Sequence, residues 1–232
     1  MPYIISFSKK FVFIHVQKTG GKSMSELLSS YLDEGDIVIN KKLKKMGFYK
    51  KEFIFEKHIG IGNPHAGIKN IEKHLINLNE YFKFAFIRNP WDRIFSYFNM
   101  IYSKKPINFN INNDRLKFED YIKSYGYGPQ IDFLFSLSGK MSVNFIGRFE
   151  FINEDFKFIK KKLKLPNNIK LPHINKTDHI SYKEYYTDKL KDMVYHKFRK
   201  DIDYFKFEFN SPAMRNFGEV NSINKINHFK HI

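Results

Sequence analysis

Residues 10–23 of the chain, KFVFIHVQKTGGKS, carry the pattern that decides the fold. The apolar and aromatic run over residues 10–17 is typical of a buried strand, and the glycine pair after it indicates a tight turn. Beyond the turn, apolar residues recur at the spacing of one helix face, namely at Met24, Leu27, Leu28, Tyr31 and Leu32. The segment therefore predicts a strand, a glycine loop and a helix.

A second unit of the same kind follows later in the chain. Residues 83–88, KFAFIR, indicate another buried strand. Residues 89–92, NPWD, have the residue types of a helix start, with Asn at the N-cap, Pro at the first position and an acid in the first turn. Helical spacing continues at Ile94, Phe98 and Ile101. Two such units predict an α/β domain with a parallel sheet and right-handed crossovers.

The rest of the chain predicts further amphipathic helices but no second domain. Helices are expected over residues 118–125, 154–164 and 182–200, and the Lys-rich run KFIKKKLK (157–164) is interpreted as a solvated helix face. We expect a single domain over residues 1–210. Because the pattern fades after Phe209, residues 211–232 are predicted to be a tail or a docked extension.

Composition narrows the class of protein. Of the 232 residues, 42% are hydrophobic and 18% aromatic, which excludes a disordered chain. The net charge is +16, but only six of the 40 basic residues are Arg, which suggests a Lys-rich codon bias. The absence of Cys excludes disulfides, Cys-type zinc sites and thiol chemistry. No apolar run reaches the ~18 residues of a membrane span, and no secretory signal is recognised, so a cytoplasmic location is expected.

The glycine loop, Lys18-Thr19-Gly20-Gly21-Lys22-Ser23, is the first candidate site. Open α/β sheets bind ligands at the carboxyl ends of their strands, where a helix N-terminus and exposed N–H groups hold an anion. One interpretation is a nucleotide-triphosphate P-loop, as in a kinase, but its first Gly would stand at position 16, which is Val. A tighter phosphate or sulfate loop headed by Lys18 is the second interpretation. A plain turn with a Ser23–Glu26 capping box is the third.

Arg88 is the second candidate, because it ends the second strand at the same edge of the sheet. It is expected to form either an ion pair with Asp92 or Glu150 or a bidentate contact to a phosphate. The few Arg residues of this chain favour the phosphate contact.

Five ordered segments resemble the carbohydrate sulfotransferases. FVFIHVQKTGGKS is similar to their 5′-phosphosulfate loop, and FAFIRNPWDRIFSYF is similar to their 3′-phosphate motif. Three later segments also resemble segments of that family: VNFIGRFEFINEDF (143–156), LPHINKTDHISYKEYY (171–186) and DIDYFKFEF (201–209). The resemblance covers residues 10–209. Gln17 departs from the usual Pro, and Lys22 departs from a small hydroxyl residue.

The resemblance implies a P-loop-like, three-layer α/β fold in which helices flank a central, mainly parallel sheet. It implies transfer of a sulfonate from 3′-phosphoadenosine 5′-phosphosulfate (PAPS) to an acceptor hydroxyl on a carbohydrate, leaving 3′,5′-bisphosphoadenosine (PAP). By the same resemblance, Lys18 contacts the bridging oxygen and the sulfonate, while Arg88 and Ser96 bind the 3′-phosphate. The residues that hold the 5′-phosphate are Thr19, Gly20, Gly21, Lys22 and Ser23.

The acceptor side is less defined by the sequence. His65, in IGNPHAGIKNI, resembles the family's acceptor-side His, and we expect it to be the general base. His15 is expected to pack in the core. His173 and residues 175–177 are compatible with a gating loop or a plain surface loop.

Two structural roles and the metal requirement complete the expectations. We expect Arg148 and Glu150 to form a structural ion pair and Trp91 to pack in the core. No spacing of metal-ligand residues is apparent, so metal-independent chemistry is expected.

Two other classes of function remain as alternatives. A P-loop kinase would need Mg²⁺ and would prefer ATP. A nucleic-acid binder would rest on the net charge alone, because no recognition motif is present. We expect a small-molecule or carbohydrate acceptor and no specific nucleic-acid partner. The sequence does not specify the acceptor or the oligomeric state.

Overall fold

A mixed α/β architecture is seen in the computed structural model, which describes residues 3–38, 67–73, 77–102, 111–172, 181–211 and 217–220. The strands are β1 (Ile4–Ser6), β2 (Phe11–Ile14), β3 (Ile37–Val38), β4 (Phe82–Ile87), β5 (Phe145–Arg148) and β6 (Gly218–Glu219). The helices are α1 (Gly21–Ser29), α2 (Ile68–Glu72), α3 (Pro90–Tyr102), α4 (Ile111–Ser124), α5 (Ile152–Lys162), α6 (Tyr182–Tyr185), α7 (Asp188–Lys197) and α8 (Arg199–Phe205).

Within this part of the chain, one sheet has the strand order β3-β1-β2-β4-β5-β6. β4 pairs in parallel with β2 on one side and with β5 on the other, with Phe84 opposite both Phe13 and Phe145. The prediction that the two strand-to-helix units lie side by side in parallel is therefore confirmed. The outer pairings are antiparallel, so the expected parallel character holds only for the centre. A short turn through Lys10, whose φ is 51°, returns the chain from β1 and makes an antiparallel pair.

Helices cover both faces of the sheet. Alternate strand residues, with Phe13 and Phe84 among them, pack with α1 and α5 in one apolar cluster. Their neighbours, including Ile14 and Ile87, pack with α3, α4, α7 and α8 in another. A strand buried on both faces is a near-continuous apolar run, which is why KFVFI and KFAFI were recognisable in the sequence.

Several predicted boundaries were wrong. The strand expected over 10–17 ends at Ile14, although residues 15–17 stay buried. The helix expected over 118–125 spans residues 111–124, and the one expected over 154–164 spans residues 152–162.

The predicted helix over 182–200 is three helices. Tyr186 is extended, and the Thr187 hydroxyl then accepts a hydrogen bond from Leu190 N and caps α7. Phe198 separates α7 from α8. Capping by a Thr side chain starts a new helix where apolar spacing alone would continue the old one.

The end of the described chain adds to the sheet. β6 pairs with β5, and the ring of Phe217 lies 3.6 Å from the guanidinium carbon of Arg148. The division into a domain of residues 1–210 and a tail of residues 211–232 stays a prediction. None of the described helices has the length and apolar character needed to cross a membrane.

Candidate active site

The loop between β2 and α1 has an unusual backbone. Lys18 and Gly20 both lie in the left-handed region, with φ of 63° and 75°. The Thr19 hydroxyl donates to Val16 O at 2.8 Å and ties the loop back to the strand. α1 begins at Gly21 with Gly20 as its N-cap, and no side chain of the described residues caps it. The amides of the first turn of α1 therefore point out of the helix at its positive end.

The capping-box interpretation was wrong. Ser23 lies at the third position inside α1 instead of at the N-cap, and Glu26 is exposed. The left-handed Gly20 starts the helix earlier than a Ser N-cap would, because glycine adopts this conformation at little cost.

Close packing explains why two glycines are needed. A Cβ at Gly21 would overlap the ring of His15, and one at Gly20 would lie 2.6 Å from Ile152 Cδ1. His15 is buried and stacks on Phe13, as expected for a core histidine. The imidazole ring of His15 therefore packs directly against the backbone of the loop at Gly21.

Arg88 joins the two strand-to-helix units. Its Nη1 donates to Lys18 O at 3.2 Å, its Nε pairs with Asp92 Oδ2 at 2.8 Å, and its guanidinium carbon lies 4.1 Å from the centre of the Phe149 ring. Of the alternatives expected for Arg88, the ion pair with Asp92 is present, and the favoured phosphate contact stays a prediction. Guanidinium has five N–H donors, and these contacts of the described residues use two of them. Arg88 is therefore oriented at the loop and retains donors for a ligand.

Gln130 holds the backbone of Arg88 from behind. Its side-chain amide accepts from Arg88 N at 3.0 Å and donates to Arg88 O at 2.8 Å. Asp201 in turn accepts from Gln130 N at 2.7 Å and from Ile131 N at 2.9 Å. Burial raises the pKa of the Asp201 carboxyl to about 6, although these hydrogen bonds and nearby Arg93 favour its ionised form. We call Gln130 and Asp201, which together support the backbone of Arg88, the brace. Sequence reasoning missed the brace.

The start of α3 is fixed by Asn89 and Glu150. The Asn89 side chain accepts from Trp91 N at 3.1 Å, which confirms the predicted N-cap, and Trp91 is buried as expected. Asn89 N donates to Glu150 Oε1 at 2.8 Å. Glu150 Oε2 is buried without a hydrogen-bond partner in the described part of the chain, and burial raises the pKa of this carboxyl to about 7.

The predicted Arg148–Glu150 ion pair was wrong. Arg148 pairs with Asp155, with Nη2 to Oδ1 at 2.7 Å and Nε to Oδ2 at 3.0 Å. Residue 155 lies on the first turn of α5, which packs against β5 and brings its carboxylate to the strand end. Glu150 is instead committed to the amide of Asn89.

The Lys18 ammonium lies in a partly dry environment. Burial lowers its pKa to about 8, with a further lowering from the Arg88 cation and an opposing effect of Asp92. A lysine of this kind still carries its charge at neutral pH but holds its proton less tightly. Lys22 is exposed, and Ser96 is buried on α3, one turn beyond Asp92.

Some predicted site residues lie outside the described part of the chain. These are His65, the predicted base, together with His173 and residues 175–177. Their roles stay predictions. Lys18, the glycine loop, Arg88 and Ser96 are described, and direct contact joins the loop to Arg88.

A glycine loop lies here at a helix N-terminus, with Lys18 beside it and Arg88 joined to it from the neighbouring parallel strand. Open α/β sheets characteristically bind anionic ligands with such an arrangement at this edge. The family model described as Sulfotransferase family matches residues 1–208 of the 232. The chain therefore belongs to the sulfotransferase family and is a sulfotransferase enzyme. Comparison with curated proteins and with solved structures gave no match.

Proposed function

We propose that this enzyme transfers the sulfonate group of PAPS to a hydroxyl of a carbohydrate acceptor. Family membership supports sulfonate transfer in general. The hydrogen bond from Arg88 Nη1 to Lys18 O carries the finer proposal, because it joins two elements that can each bind an anion. A nucleotide with phosphates on both sides of its ribose needs two such elements.

The glycine loop is suited to the 5′-phosphosulfate end of the donor. The uncapped start of α1 offers backbone N–H groups to an anion. The missing Cβ atoms at Gly20 and Gly21 let this backbone pack directly on Ile152 and His15, which fixes the positions of those N–H groups. We assign Thr19, Lys22 and Ser23 to the same end. This strand, loop and helix would then act as a P-loop-like cradle.

Arg88 and Ser96 are suited to the 3′-phosphate. Ser96 is one helical turn beyond Asp92, so it lies on the face of α3 from which Asp92 pairs with Arg88. The Phe149 ring against the guanidinium holds its plane fixed, which favours a bidentate contact.

The proposed sulfonate transfer is an in-line displacement. The acceptor oxygen forms the new S–O bond while the S–O bond to the donor's 5′-phosphate breaks, and PAP leaves with the electron pair. The acceptor proton passes to a general base, for which His65 is the proposed residue. Lys18 stabilises the charge that develops on the bridging oxygen and the sulfonate.

Ligand binding tests the donor assignment. PAP should raise the melting temperature more than ATP does, with or without Mg²⁺, and radiolabelled sulfonate should move from PAPS to a carbohydrate acceptor. The double variant Lys18→Ala, Arg88→Ala should lose PAP binding, whereas Lys140→Ala at an exposed turn should retain it. Unaltered PAP binding by the double variant would refute the assignment of Lys18 and Arg88 to the donor site. A preference for ATP that requires Mg²⁺ would refute PAPS as the donor.

Replacement of the proposed base separates chemistry from binding. His65→Ala should lower kcat by about 10²–10⁴-fold with the Kd of PAP retained. An unchanged kcat would remove His65 as the base.

A further inference from the structure

Four tyrosines form a continuous aromatic surface beside the glycine loop. This tyrosine ledge consists of Tyr97 on α3, Tyr121 on α4, and Tyr125 and Tyr127 just beyond α4. The Tyr97 and Tyr127 rings are 5.5 Å apart, and those of Tyr125 and Tyr127 are 5.4 Å apart. Tyr125 is buried, while Tyr127 is 39% exposed. The ledge therefore has a fixed base and an open edge.

The ledge adjoins Lys18 through Tyr97. Lys18 Nζ lies 5.9 Å from the centre of the Tyr97 ring. Arg88 contacts the same residue through its carbonyl oxygen. Lys18 therefore has the Arg88 guanidinium on one side and the uncharged aromatic ring of Tyr97 on the other.

The aromatic side of Lys18 is poorly suited to a phosphate. Arg93, whose charge acts on Tyr97 and Tyr125, is buried, and its Nε donates to Gln17 O at 3.1 Å. The Tyr97 and Tyr121 hydroxyls stay protonated, because burial and the neighbouring phenols raise their pKa well above the usual range. They can donate hydrogen bonds, but they are unsuited to act as bases.

We propose that the tyrosine ledge is the acceptor subsite, where the C–H face of a pyranose ring stacks on Tyr127 and presents a hydroxyl toward Lys18. This inference rests on the proposed function and deepens it, because it assigns residues to the acceptor. An aromatic ring with an exposed face and a hydroxyl at its edge offers both stacking area and a polar contact to a sugar. The rings of Tyr97 and Tyr127 also pack against each other, which holds them in place before the acceptor arrives.

Saturation-transfer NMR tests the ledge without a known acceptor. The probes are methyl β-glucopyranoside, methyl β-galactopyranoside and methyl N-acetyl-β-glucosaminide, added to the full chain saturated with PAP. At least one pyranoside should bind to the unsubstituted enzyme. Tyr127→Ala should weaken its binding about tenfold, and Tyr127→Phe should retain most of it, because the stacking face survives.

Two controls distinguish a loss of acceptor binding from a damaged donor site and from a loss of folding. Tyr31→Ala removes a ring packed against the opposite apolar cluster and should leave pyranoside binding unchanged. PAP should bind all three variants with the Kd of the unsubstituted enzyme. Equal pyranoside binding by Tyr127→Ala, or no pyranoside binding by an enzyme that binds PAP, overturns the ledge. Failure of PAP to bind the unsubstituted enzyme overturns the proposed function instead.

Discussion

The brace behind Arg88 leads to a prediction for Gln130, a residue that is not expected to touch the donor. Gln130 makes two hydrogen bonds to the backbone of Arg88 and a third, at 3.3 Å, from its Nε2 to Asp201 Oδ2. Gln130 is completely buried, and Arg88 is 8% exposed. Gln130→Met retains the length of the side chain but removes all three bonds, so the Arg88 N–H and C=O lose the partners that Gln130 supplied.

The size of the effect follows from those two groups. A buried backbone donor or acceptor without a partner costs about 1–3 kcal/mol, and relaxation of the loop recovers part of it, so we expect a loss of about 2–4 kcal/mol in the free energy of unfolding. Arg88 should also become less well oriented, and the Kd of PAP should rise several-fold.

Urea denaturation followed by circular dichroism measures the first effect, and calorimetric titration with PAP measures the second. Gln130→Ala should be at least as destabilising, because it adds a cavity. Lys140→Ala, at an exposed turn, is the control and should change neither quantity. A Gln130→Met variant as stable as the unsubstituted enzyme, with an unchanged Kd, would show that the brace is unimportant.

Two further predictions concern pH. Burial raises the pKa of Glu150 to about 7 from 4.5, so its ionisation destabilises the folded state progressively from pH 4.5 up to about 7. Glu150→Gln keeps an acceptor for Asn89 N. This variant should be more stable than the unsubstituted enzyme by about 3 kcal/mol at about pH 8, with little difference near pH 4. Equal midpoints of urea denaturation for the two proteins at pH 8 would contradict this prediction. The pKa of Lys18, about 8, predicts that the Kd of PAP rises between about pH 7 and pH 9, as titration calorimetry can measure. Lys18→Arg should remove that rise, and an equally steep profile in the Arg variant would exclude Lys18 as its origin.

The sequence predicted the parts of the fold that repeat locally. Buried strands such as KFAFI are apolar on both faces, and NPWD is a helix start whose cap was confirmed at Asn89. The sequence failed where two local signals compete. Apolar spacing across 182–200 predicted one helix, but extended Tyr186 and the Thr187 cap divide it.

Partners that are brought together by packing between elements were the other failure. Arg148 stands two residues from Glu150, yet its carboxylate is Asp155 on α5. Gln130 has no local signal at all, because its amide acts on a strand end 42 residues away in sequence. The ion pair of Arg88 with Asp92 was foreseen as one alternative, because only four residues separate this strand end from Asp92 in the first turn of α3.

The dependence of Arg88 on Asp201 has a consequence for the order in which the enzyme matures. The glycine loop and β4 are synthesised in the first half of the chain, but the carboxylate that orders Gln130 belongs to α8, near the end of the matched region. A nascent chain that has already formed the loop therefore lacks the last support of Arg88. Donor affinity should therefore arise late in synthesis, when α8 docks.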